Sequence, residues 1–68
     1  MENSIRHFIK QNFKDATNHE LCESINQAIA SKDEVALPGL GVLFEVLWEH
    51  SDNSFKETST KTILEYLK

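Results

Sequence analysis

The sequence predicts a small all-α domain: about four short helices around one core, with residues 1–68 forming a single unit. Three observations carry this. Apolar residues recur at spacings of three and four, the period of one helix face. A Thr-x-x-Glu capping box and a Ser-x-x-Glu match stand where two of the helices would start. The one stretch that also reads as a strand, residues 42–48, finds no partner strand elsewhere in the chain.

The first helix is expected over residues 4–13. Ile5, Phe8, Ile9 and Phe13 make one apolar stripe. Asn3 or Ser4 supplies the N-cap, and Lys10 and Lys14 suit the negative end of the helix dipole. The second helix, residues 18–31, carries the stronger signal. Thr17-Asn18-His19-Glu20 fits a capping box, with Ala16 and Leu21 placed for a hydrophobic staple. Leu21, Cys22, Ile25, Ala28 and Ile29 fall within one arc of roughly 120° at 100° per residue, and Glu23, Asn26, Gln27 and Ser31 point away from its centre.

The stretch KDEVALPG, residues 32–39, reads as a break. Proline disfavours helical geometry at Leu37, and Leu37-Pro38-Gly39-Leu40 has the residues of a type II turn. A Leu37–Gly41 turn therefore precedes a highly apolar third segment, residues 40–50. As a strand it would place Val42, Phe44, Val46 and Trp48 on one face. As a helix only Glu45 and Glu49, at i and i+4 and flanked by His50, give it a polar strip. Leu and Glu content favours the helix. A helix so apolar must be wrapped by the others or shared with a second chain. Residues 51–54 read as a loop, and Ser54-Phe55-Lys56-Glu57 as a second capping box. The last helix carries Phe55, Ile63, Tyr66 and Leu67. Its run of Thr58, Ser59, Thr60 and Thr62 lowers its propensity, so it should be the least stable element, frayed at Lys68.

Composition narrows the function classes. Seven Lys and Arg against eleven Asp and Glu give a net charge of −4. That weighs against non-specific nucleic-acid binding, which runs on cations displacing counterions from phosphate. Cys22 is the one cysteine, so no internal disulfide can staple the fold, and a reducing compartment or an intermolecular contact is expected. The opening MENSIRHFIK lacks an apolar signal-peptide core. Leu40 to Trp48, broken by Gly41 and Glu45, falls far short of the ~20 residues that span a bilayer. A soluble, cytosolic product with no membrane partner is expected.

No constellation reads as an active site, so the chain is expected not to be an enzyme and to need no cofactor. PGLG lacks both the Walker and the dinucleotide pattern and reads as a tight turn letting two helices pack closely. His19 and Cys22, at i and i+3, could face one ion. A structural zinc site wants four ligands, and His7 and His50 are isolated. Cys22 reads instead as a half-buried, inert thiol, with no positioned base to activate it. Glu45 and Glu49 read as the solvated strip of the third helix. Arg6, Lys10 and Lys14, at i, i+4 and i+8, could meet phosphates along the first helix, or simply be a solvated flank. Leu40, Leu43, Phe44, Leu47 and Trp48 are the candidate core or shared interface, because so much apolar surface is hard to cover in a chain this short.

The stretch LPGLGVLFEVLWEH, Leu37 to His50, resembles the signature of the small acid-soluble spore protein I family of endospore-forming bacteria. Upstream, Leu21, Ile25, Ala28, Ile29, Ser31 and Glu34 fit that family's spacing, as do Arg6 and His7. The resemblance covers most of residues 5–50. It implies a minor component of the dormant spore, made in the forespore cytoplasm and held in the spore core. The reading adopted is a structural or interactive role, with itself as a homodimer or with another spore protein. The resemblance implies no catalytic residues. Cys22, Phe8, Phe13 and the Lys10/Lys14 pair depart from the family pattern. A fainter similarity links KDEVALPGLGVLFEV to the turn-and-strand segment of histone-like DNA-bending proteins. It needs an extra residue near Leu43, and the basic DNA-gripping arm is missing. The alternative it supports is a nucleic-acid-binding accessory protein that uses Arg6, Lys10 and Lys14.

Overall fold

The computed structural model describes residues 4–68. Among them four α-helices follow one another with no strand: α1 Ile5–Phe13, α2 Asn18–Ser31, α3 Leu37–Glu49 and α4 Asn53–Leu67. A 3₁₀ turn, Glu34–Ala36, leads directly into α3. The strand reading of residues 42–48 is thereby set aside in favour of the helix.

Local chemistry explains each start. The Ser4 hydroxyl accepts from the His7 amide and caps α1, and the alternative cap, Asn3, lies outside the described residues. The capping box of α2 is complete: Thr17 Oγ1 accepts from the Glu20 amide at 3.1 Å, and Glu20 Oε1 accepts from the Thr17 amide at 3.0 Å. α2 ends on Lys32 in the left-handed region, φ 59°, a cap conformation that glycine or asparagine usually supplies.

Two expected signals act differently from the reading above. Leu37–Leu40 is not a type II turn. Leu37 is helical, φ −62° and ψ −42°, and Pro38 sits in the first turn of α3. An amide there has no carbonyl within the helix to bond, so proline loses nothing by lacking it. The second capping box is also displaced: the cap of α4 is Asp52, whose carboxylate accepts from the Phe55 amide at 2.8 Å, and Ser54 lies inside the helix. Asp52 starts the helix two residues earlier, so the Lys56 amide that Ser54 could have capped already bonds the Asp52 carbonyl.

α3 is the hub. α1, α2 and the 3₁₀ turn all pack on it. α1 approaches closely because Gly39 carries no side chain: a Cβ there would lie 3.2 Å from Ile9 Cδ1. So the glycine does serve close helix packing, from within a helix rather than from a turn. Among the described residues Val42 is the one buried residue, at 7% exposure. Leu40, Leu43 and Trp48 are half-covered, while Phe44 and Leu47 are exposed. α4 touches the rest near its start, where Lys56 and Ser59 are half-covered, and every residue from Thr60 to Lys68 is exposed.

The two glycines of α3 should therefore answer differently to alanine. Nothing lies within 4 Å of a Cβ at Gly41, so Gly41→Ala should gain about 0.5–1 kcal/mol of helix propensity in a denaturant titration. Gly39→Ala should gain less or lose, because Ile9 must give way. Thr17→Ala, which breaks the capping box, should cost about 1 kcal/mol in the same measurement.

Candidate functional site

Two features of α3 stand out, one on each side. On the side facing α1, Arg6 and Glu45 form a two-pronged ion pair: Nε to Oε1 at 2.7 Å and Nη2 to Oε2 at 3.0 Å. The planar guanidinium matches the carboxylate in a way an ammonium does not. Arg6 holds the Glu45 carboxyl below the usual carboxylate range, chiefly by this hydrogen bonding, partly offset by desolvation. Lys10 one turn along adds to the lowering. The Arg6 guanidinium is raised in turn by the same bond.

This pair changes the reading of two groups. Glu45 is not part of a freely solvated strip with Glu49: it is half-covered and engaged. Arg6 is not a free cation of a phosphate-binding stripe either, because its fork is taken up by Glu45. Lys10 and Lys14 are exposed. They border an open hollow of about 410 Å³ shared with Glu49 and His50, so the surroundings of the stripe are of mixed charge.

The opposite side of α3 is apolar and uncovered. Leu37, Phe44 and Leu47 are 58%, 44% and 48% exposed, with the half-covered Leu40 among them. Their spacing of three, four and three traces one stripe along the helix. At roughly 100° per residue the stripe occupies an arc of about 80° centred diametrically opposite Val42. The residue that anchors α3 to α1 and the stripe that nothing covers therefore lie on opposite faces. At one end Leu37 and Leu40 share a hollow with Ala28 and Ile29 of α2. At the other, Phe44 stacks at a tilt on Trp48, with ring centroids 5.6 Å apart, and Lys56 Nζ lies 5.4 Å from the Trp48 ring. Of the five residues expected as core or interface, Leu43 turns toward α2, Trp48 is covered from α4, and Leu40, Phe44 and Leu47 belong to the stripe. Leu37 was hidden from sequence reasoning by its assignment to a turn. The heptad spacing of 37, 40, 44 and 47 was the signal that could have found it.

The remaining groups are scattered. Cys22 is exposed rather than half-buried, and its sulfur accepts from the Asn26 amide at 3.8 Å, which is no base. Among the described residues no cluster of three or more His, Cys, Asp or Glu could hold a metal ion. No helix among them is long and apolar enough to cross a membrane.

Comparison with known proteins points one way. The model of the family described as small, acid-soluble spore protein I matches residues 4–67. The chain is similar to the small, acid-soluble spore protein I of Bacillus licheniformis, 41% identical over 68 residues, covering 100% of this chain and 97% of the relative. It is 40% identical to that of a Geobacillus strain over 68 residues, covering 100% and 96%. To that of Bacillus subtilis it is 41% identical over 63 residues, covering 93% and 89%. No solved structure matches.

The ion pair should make the docking of α1 acid-sensitive. Glu45 is held below its ordinary value in the fold, so its contribution is complete above the usual carboxylate range and is lost as pH falls through the lowered value. Thermal melts across pH should show the natural chain more stable than Glu45→Gln near neutrality, with the difference closing in acid. Added salt should narrow that difference too, because the pair is largely exposed.

Proposed function

Because this chain belongs to the small, acid-soluble spore protein I family, we propose that it works in the spore as a non-enzymatic interaction protein whose working surface is the uncovered stripe of α3. We place it in the forespore cytoplasm and then in the spore core. One observation carries the reading: Phe44 and Leu47 stay 44% and 48% exposed while Val42, on the opposite face of the same helix, is buried. A lone exposed leucine is ordinary; a continuous apolar stripe on the central helix is the mark of an interaction surface.

The physical support is direct. The elements of the fold leave one face of its most apolar helix uncovered, so the free energy of covering the stripe is left for a partner. The stripe holds no charge and no nucleophile, which suits docking and not chemistry. The nucleic-acid alternative draws less support, since Arg6 is engaged by Glu45 and the net charge is −4.

The reading is tested by a photo-reactive phenylalanine analogue placed at Phe44 or Leu47 and irradiated in dormant spores. Covalent adducts with protein are expected at these positions and not at the exposed Glu57 of α4. An irradiated chain that stays unmodified at Phe44 and Leu47 would sink the proposal.

A further inference from the structure

We infer that the occupant of the α3 stripe is a second copy of this chain, packed stripe to stripe with the two α3 helices antiparallel. The inference rests on reading that stripe as the working surface, and adds what covers it.

The area exposed argues for an obligatory neighbour of substantial size. The chain has an accessible surface of 5892 Å². A folded monomer of its mass, 7.8 kDa, should expose only ~4,400 Å². The excess is about 1,500 Å² per chain, more than the ~800 Å² that an interface of standard size removes from each partner, and it is shared between the stripe and the exposed second half of α4. The radius of gyration points the same way: 13.3 Å, against ~11 Å for a compact domain of this length. Each chain therefore exposes enough surface for one standard interface.

The form of the stripe selects a second copy. A two-fold contact needs a patch that complements itself, because the same surface meets itself. Leu37, Leu40, Phe44 and Leu47 repeat as the a and d positions of a heptad, the arrangement in which one helix seam fits into an equivalent seam. No charged residue of α3 lies within that arc, and the charges that border its Leu37 end, Lys32, Asp33 and Glu34, are of both signs. Glu45 and Glu49, the acids of α3, sit on the α1 side, and Glu45 is already paired. Antiparallel helices also set the positive end of each dipole beside the negative end of the other. In that arrangement Leu37 of one copy faces Leu47 of its partner, and Leu40 faces Phe44. Ile29, exposed at the margin of the stripe, would extend the contact onto α2.

Sedimentation equilibrium of the full chain should give the mass of two chains at concentrations of about 100 µM and below. Phe44→Glu with Leu47→Glu should raise the dissociation constant at least about thirtyfold, as loss of central apolar anchors does. Helix content by circular dichroism should hold, since both side chains are exposed within one chain. Leu64→Glu, equally exposed but on α4, should leave the dimer intact. A second measurement does not depend on buried charge. In a Cys22→Ser background, an equimolar mixture of Leu37→Cys and Leu47→Cys chains should form mixed disulfides on oxidation, well above a Leu64→Cys control.

A full chain that sediments as one chain at about 100 µM overturns the inference. So does a dimer that ignores the paired glutamates, or mixed disulfides no more abundant than the control. If the chain is a monomer and the spore adducts at Leu47 contain a different protein, the second copy is wrong while the reading of the stripe survives. If neither adducts nor a dimer form, both fall.

Discussion

The structure turns on one imbalance: α3 is apolar around most of its circumference, and the elements packed on it leave one face uncovered. Three short elements pack against it from two sides, and the third side is left open. Everything else follows from how that cover is distributed. Gly39 lets α1 come close, Val42 fills the contact, and the residues diametrically opposite are the ones left in water. The second half of α4 does not close over that face, and the stripe stays exposed.

The Arg6–Glu45 pair fixes which side is left open. An apolar helix with near-uniform sides could be approached by α1 from several directions, since burial of area is non-directional. A fork of two hydrogen bonds is not. By joining the first turn of α1 to the third turn of α3, it sets the rotation of α3 within the fold. The pair is solvent-facing and contributes modestly to stability. Its structural consequence is larger than its energy: with Glu45 facing α1, the seam of Leu37, Leu40, Phe44 and Leu47 must face outward.

The family relationship and the geometry address different questions. The match over residues 4–67 identifies a small, acid-soluble spore protein. Nothing in that family description names a reaction. The geometry adds an uncharged seam on α3, flanked by Trp48, whose ring lies under the Lys56 ammonium of α4.

Much of this was legible in the sequence. The Thr17–Glu20 box and the four helices are local: each depends on residues within one or two turns of each other, so spacing alone specifies them. The expected α1 stripe is half-covered only at Ile9 and Phe13, while Ile5 and Phe8 are exposed. The turn assignment at Leu37–Leu40 failed because proline and glycine carry two meanings. The same pair closes a turn or opens a helix, and only the incoming 3₁₀ turn decides which. The Ser54 box failed for a related reason, since Asp52 caps the Phe55 amide and starts the helix two residues earlier. The sequence by itself determined that α3 would be a greasy helix in want of cover. Only the tertiary structure decided which of its faces is covered, because that choice rests on a contact between residues 6 and 45, thirty-nine positions apart, to which no local period points.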